Sequence, residues 1–228
     1  MAESPILYYI TDRRAFPGDE RSRRLRLLEK IAEAAATGID YIQLREKDLS
    51  TRDLESLARE AIVALSHARK LPTDHWPPPT TLLINSRTDV ALAVEANGVH
   101  LPANDLSPQE VRQIWKYGAG APARVSPGKP VISVSCHSPE EVSQAAANQA
   151  TLALFAPVFE KKNAPGSVPA GLESLRQSCC LKIPVLALGG ITLQNAALCL
   201  RAGAAGIAAI RIFQENKIDE IVPALRQN

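Results

Sequence analysis

Short apolar runs recur along the chain, and between them apolar residues return every three or four positions. The runs are ILYYIT (Ile6–Thr11), YIQL (Tyr41–Leu44), TLLIN (Thr81–Asn85), GVHL (Gly98–Leu101), VISVS (Val131–Ser135), LALFA (Leu152–Ala156), VLAL (Val185–Leu188) and GIAAI (Gly206–Ile210). They are nearly continuous in hydrophobicity, which predicts strands buried on both faces of a parallel sheet. The segments between them carry helix signals. In the first, Leu25, Leu28, Ile31, Ala32 and Ala35 share one predicted face, and Gly38 supplies a stop. Ser50-Thr-Arg-Asp53, Ser107-Pro-Gln-Glu110 and Ser138-Pro-Glu-Glu141 read as helix starts in which serine accepts orphan amides and the acid reaches back. In the last two, proline occupies the first helical position. TLQNAALCLRAG (Thr192–Gly203) predicts a further capped helix ending on glycine.

Eight β–α alternations without a second compositional regime predict one (β/α)8 TIM barrel spanning residues 1–228 as a single domain. The alternative is an open doubly wound sheet, which would need fewer parallel strands or an edge. Two Pro/Gly-rich segments, Lys70–Thr80 and Tyr117–Pro130, each join a helix to the next strand. On a barrel such connections lie on the face away from the chemistry, so both are expected to be variable loops.

Composition narrows the function. Hydrophobic residues make up 46% and charged residues 22% of the chain, enough for a sizeable core. The net charge of +2 gives no basis for nucleic acid or acidic membranes as partners, so any anion site is local. The N-terminus lacks the pattern of a signal peptide, and no apolar run reaches the roughly 18–20 residues of a membrane span. Cys136, Cys179, Cys180 and Cys199 form neither a CxxC nor a disulfide-like framework, which points to a reducing cytoplasm. Cys179 and Cys180 read as helix-end packing residues. A homo-oligomer is compatible with all of this.

Candidate chemistry gathers where each strand ends. Asp12-Arg13-Arg14 follows the first strand; Arg45, Glu46 and Lys47 follow the second, with Gln43 on the strand itself. Asn85-Ser86-Arg87 closes the third, Asp105 follows the fourth, and Ser135 and His137 lie at the fifth. The sixth leads to Lys161-Lys162-Asn163, the seventh to Gly189-Gly190 and the eighth to Ile210-Arg211. In barrel enzymes this is the substrate-binding face. Gly189 and Gly190 allow close backbone approach and Thr192 caps the next helix, the makings of a phosphate cradle; a plain tight turn is the other reading. Arg45 can fork onto phosphate oxygens and Lys47 adds a compact charge, with Gln43, Asn85 and Ser135 as neutral donors. Such a set suits a diphosphate, whose remaining charge Mg²⁺ would neutralise through Asp105, itself readable as a helix-starting acid. His137 is either a general acid or base or a packed rim residue. His100, within a strand, reads as core, and His67 and His75 as solvent-facing.

The motifs QLREKD (Gln43–Asp48), INSRTDVALA (Ile84–Ala93), GVHLPANDLS (Gly98–Ser107), SCHSPEEV (Ser135–Val142), APVF (Ala156–Phe159) and LGGIT (Leu188–Thr192) occur in one order. Together they resemble the thiamine phosphate synthase and thiazole tautomerase superfamily. Membership of the synthase branch implies joining hydroxymethylpyrimidine diphosphate to a thiazole phosphate, with release of pyrophosphate. The resemblance implies Gln43, Arg45, Glu46, Lys47, Asn85 and Ser135 at the pyrimidine diphosphate and Asp105 on Mg²⁺. It places Gly189, Gly190, Ile210 and Arg211 at the thiazole phosphate, with Lys161 and Asn163 in the phosphate loop. Arg45, Lys47, Ser135 and His137 are the implied catalytic residues.

The chain departs from the synthase pattern at several points. Ser86 stands where an acid is usual, Pro102-Ala103 replace Gly-Gln, Ala164 replaces a lysine, and Arg211 replaces a serine. Lys161, Lys162 and Arg211 could restore positive charge. Two alternatives therefore stay open. One is a tautomerase isomerising a thiazole carboxylate phosphate with His137 as acid or base. The other is a non-catalytic binder of thiamine intermediates. Gln43, Arg45, Lys47 and Asp105 together favour the synthase.

Overall fold

The computed structural model describes residues 4–68, 79–117, 129–160 and 168–227. Most of the two Pro/Gly-rich segments, together with His75, Lys161, Lys162, Asn163 and Ala164, lie outside the described residues. The strands are β1 (Ile6–Ile10), β2 (Tyr41–Leu44), β3 (Thr81–Asn85), β4 (Gly98–Leu101), β5 (Val131–Cys136), β6 (Leu152–Phe155), β7 (Val185–Ala187) and β8 (Gly206–Ala209). All pair in parallel with their sequence neighbours, and Ile6–Tyr9 of β1 pairs with Gly206–Ala209 of β8 to close the barrel. The expected (β/α)8 architecture is thus present, and the open sheet is excluded because no strand is left as an edge.

The helices are α1 (Glu20–Ala36), α2 (Thr51–Ala68), α3 (Thr88–Ala93), α4 (Pro108–Tyr117), α5 (Pro139–Ala147), α6 (Gly171–Cys179), α7 (Ala196–Arg201), α8 (Arg211–Gln214) and α9 (Ile218–Arg226). Period-2 alternation splits each strand between two cores. Leu7, Tyr9, Ile42, Leu44, Leu82, Ile84, Val99 and Ile132 pack outward with the helices. Tyr8, Ile10, Leu83, Leu152, Leu154, Leu186 and Ala208 fill the barrel interior.

Local signals act as expected, with corrections. On α1 the buried face is Leu27, Ile31, Ala34 and Ala35, one step round from the expected stripe; Leu25 is exposed. The displaced face is the one that meets α2 and the outer surface of the strands. Ser107 and Glu110 form a reciprocal box, Glu110 taking the Ser107 amide at 2.7 Å. At Ser50 the acid instead accepts the serine hydroxyl. Glu141 reaches past its cap to the His137 amide at 2.7 Å. Helix α7 begins later than expected because Thr192 and Asn195 cap each other across a turn. Cys179 ends α6 and Cys180 caps it, and all four cysteines are free.

Candidate active site

The alternation that builds the barrel also sorts the charges after β2. Ile42, Leu44 and Glu46 continue one side; Gln43, Arg45 and Lys47 continue the other. Glu46 was expected at the substrate but is buried at 4% exposure, on the side of the helices. Its carboxylate accepts the Thr11 hydroxyl at 2.6 Å, the Arg13 amide, and Arg13 Nη1 at 3.1 Å. Arg13, itself 3% exposed, also grips Asp48 with both terminal nitrogens at 2.8 Å and Glu20 through Nε at 2.6 Å. The strand-one arginine is therefore committed to the fold, and burial raises the Glu46 carboxyl above its usual range. Arginine holds Asp48 low, at about 2. This cluster fixes the loop that carries Arg45 and Lys47. Neither of those two cations has an ion-pair partner among the described residues.

Inside the barrel, Gln43, Asn85 and Ser135 belong to one hydrogen-bonded chain. Asn85 Nδ2 donates to Ser86 Oγ (3.2 Å), Gln43 Nε2 to Asn85 Oδ1 (2.8 Å), and the Tyr8 hydroxyl to Gln43 Oε1 (3.1 Å). Tyr8 meets Ser133 Oγ at 2.9 Å, and His100 bridges Ser133 and Ser135 through its two nitrogens, each at 2.9 Å. Strand register makes this possible, since Asn85 lies beside His100 and His100 beside Ser133. The sequence reading missed Tyr8 and Ser133, and took His100 as mere core. His100 is buried as expected, and its pKa is depressed to about 3 by burial and by the charges of Arg45 and Lys47. The signal that could have found the set is inward parity: Tyr8, Gln43, Asn85, His100, Ser133 and Ser135 all occupy inward positions of adjacent strands.

His137 lies just past β5 and is exposed, with Nδ1 donating to the Ala156 carbonyl at 2.6 Å. Nε2 has no hydrogen-bond partner among the described residues. Across the barrel, Gly189 and Gly190 adopt φ of 93° and 67° after β7. A Cβ on Gly190 would lie 2.6 Å from the Glu160 carbonyl oxygen, so the close turn requires glycine there. Asn195 fixes the turn by donating to the Gly190 carbonyl at 3.0 Å. Ile210 and Arg211 follow β8 at the start of α8; both are half-buried, and Arg211 has no ion pair among the described residues.

Asp105 is exposed, with one carboxylate oxygen on the Leu106 amide at 2.8 Å and the other without a partner among the described residues. Among the described residues no three acidic, histidine or cysteine side chains gather as a metal cage. Mg²⁺ is commonly held by one or two carboxylates together with substrate phosphates and water, so a lone Asp105 beside a diphosphate fits its donor preference. Ser86, with φ of 61°, supplies no second acid.

A parallel barrel whose strand ends combine cations without ion pairs among the described residues, a glycine turn and an inward polar chain has the build of the barrel class that binds small substrates at this face. Residues 7–213 match the family described as thiamine monophosphate synthase. The thiamine-phosphate synthase of Roseiflexus castenholzii is 37% identical over 207 residues, covering 90% of this chain and 79% of the relative. That of Chlorobium luteolum is 37% identical over 209 residues, covering 91% and 84%. Among solved structures, thiamine phosphate pyrophosphorylase from Pyrococcus furiosus superposes with a TM-score of 0.74 at 29% identity, covering 97% of this chain and 94% of that one. The chain belongs to the thiamine monophosphate synthase family.

Proposed function

We propose that this chain joins hydroxymethylpyrimidine diphosphate to a thiazole phosphate, giving thiamine phosphate and pyrophosphate within one barrel domain. The observation that carries the reading is the presentation of Arg45 and Lys47, without counter-ions among the described residues, beside the inward set Gln43, Asn85 and Ser135. Family membership and the thiamine-phosphate synthase relatives support the same reaction. The carbon–oxygen bond to the diphosphate breaks, the pyrimidinylmethyl group carries the positive charge, and the thiazole nitrogen captures it. Arg45 and Lys47 hold the diphosphate and stabilise the charge that develops as it leaves. Gln43, Asn85 and Ser135 orient the pyrimidine, while Gly189, Gly190, Ile210 and Arg211 seat the thiazole phosphate; alignment does the remainder. Asp105 would hold Mg²⁺, which when bound neutralises part of the diphosphate charge.

The partners are small phosphate and diphosphate molecules, with no nucleic acid or membrane, and a homo-oligomer is compatible with the reading. Four free thiols suit a cytoplasmic setting. No helix among the described residues is long and apolar enough to cross a membrane.

The tautomerase reading has one specific support: His137 is exposed, and its Nε2 has no hydrogen-bond partner among the described residues, so it can meet a substrate. Purified protein supplied with both synthase substrates separates the readings. Mg²⁺-dependent thiamine phosphate formation that is lost in Lys47→Ala is the expected result. Isomerisation of the thiazole carboxylate phosphate alone, abolished in His137→Asn, would replace it. Binding without turnover would make the chain a non-catalytic binder.

A further inference from the structure

The hydrogen bonds inside the barrel can be followed proton by proton. Tyr8 is fully buried, and burial raises its pKa, so the phenol keeps its single proton. That proton goes to Gln43 Oε1. Tyr8 therefore has none left for Ser133, and the contact at 2.9 Å requires Ser133 to donate to the phenol oxygen. With its only proton used, Ser133 must accept from His100, which places a hydrogen on Nδ1. The ring is neutral, so Nε2 is bare and accepts the Ser135 hydroxyl proton. At the other end, Gln43 donates to Asn85 and Asn85 to Ser86, whose own proton has no acceptor among the described residues.

We propose that Ser86, Asn85, Gln43, Tyr8, Ser133, His100 and Ser135 form one polarised chain, in which Tyr8 sets the His100 tautomer and thereby makes Ser135 a hydrogen-bond acceptor toward the barrel mouth. Tyr8, Ser133 and His100 are positioning residues: they are buried and act through Ser135 and Gln43. Only one other arrangement satisfies every member. In it both amides turn over, Tyr8 donates to Ser133, Ser133 to Nδ1, and Nε2–H to Ser135. The members must switch together, because any single reversal sets two protons or two bare lone pairs against each other in a buried site. The amides stand as the first arrangement requires, Gln43 with Oε1 toward Tyr8 and Nε2 toward Asn85, and Asn85 with Nδ2 toward Ser86.

The consequence concerns ligand chemistry. Ser135 offers lone pairs and so fits an N–H or O–H of the substrate; an unprotonated phosphate oxygen is left to Arg45 and Lys47. Ser86, at the opposite end, keeps a proton for an acceptor. What sits against Ser135 rests on the synthase reading, but the tautomer does not, and it is measured on the chain alone.

The test is nitrogen-15 NMR of the full chain labelled at histidine, with the His100 signals identified by their loss in His100→Asn. The expected result at neutral pH is a protonated Nδ1 and a bare Nε2. A protonated Nε2, or a ring protonated at both nitrogens, overturns the proposal. Tyr8→Phe removes the acceptor for the Ser133 proton, so His100 is expected to switch to the Nε2-protonated form. Ser135→Ala is expected to leave Nδ1 protonated. An unchanged tautomer in folded Tyr8→Phe overturns the coupling; if that variant does not fold, Ser133→Ala removes the neighbouring link and carries the same expectation.

Discussion

At Arg45 the shape of the cation matters as much as its charge. A guanidinium holds two phosphate oxygens at once, whereas an ammonium at the same place holds them one at a time. Arg45→Lys is expected to lower kcat/KM for the pyrimidine diphosphate about tenfold, the equivalent of one charge-assisted hydrogen bond of roughly 1.5 kcal/mol. Steady-state kinetics with the thiazole phosphate saturating would check it; an unchanged value would place the guanidinium away from the diphosphate. His100 makes a prediction about acidity. An unfolded histidine takes up a proton as the pH drops below about 6.5, while His100 in the fold resists until about 3. The unfolded state thus binds the extra proton, and the stability tied to His100 is fully present above pH 6.5 and lost progressively below it. Between pH 6 and 4 the unfolding free energy should fall with a slope of up to about 1.4 kcal/mol per pH unit from this group. Denaturant titrations of His100→Asn should show a shallower slope by that amount, and equal slopes would refute the assignment.

At the scale of elements, the loop after β2 is held from behind. Glu46 and Arg13 are each almost wholly buried, and Asp48 and Glu20 complete the shell around the guanidinium. Removing one member leaves a buried charge without its partner, which costs about 3–5 kcal/mol. Arg13→Met is therefore expected to lower the urea midpoint sharply and to raise KM for the diphosphate substrate through loss of a fixed Arg45 and Lys47. A variant that keeps full stability would show the cluster to be dispensable. The sequence placed β2 on its observed residues and marked the next four as charged, but it could not divide them. Glu46 carries a negative charge like any candidate ligand; only closure of the barrel, which buries one parity and opens the other, turns it into an anchor.

For the whole molecule, closure depends on the end away from the mouth as well. Arg226 of α9 donates to the Pro5 and Gly38 carbonyls at 3.2 and 2.6 Å and to Asp40 at 3.1 Å, tying the last helix to the entries of β1 and β2. Arg226→Ala removes several bonds at once and is expected to cost about 1–3 kcal/mol. For a chain of this size that lowers the thermal midpoint by several degrees, at about 2–4 °C per kcal/mol. Because these bonds lie at the entries of β1 and β2, at the opposite end of the strands from Arg45 and Lys47, kcat below the transition should stay as in the parent chain. A fall in kcat without a fall in melting temperature would contradict this division between a stability face and a chemical face.

The strands, the order of the helices, the caps at Ser50, Ser107 and Ser138 and the concentration of polar residues at strand ends were all determined by the sequence alone. These depend on periodicity, on short-range capping and on chain order, which are local quantities. Which polar residues work together was decided by the tertiary structure. Tyr8 and Gln43 are 35 residues apart and Tyr8 and Ser133 are 125 apart, yet closure sets them in contact inside the barrel. The same closure turned Glu46 and Arg13 outward into a salt-bridged support, and it converted His100 from an apparent core residue into the bridge between two serines. Parity along a strand is written in the sequence, but which parity faces inward, and what meets it across the barrel, is fixed only when β1 pairs with β8.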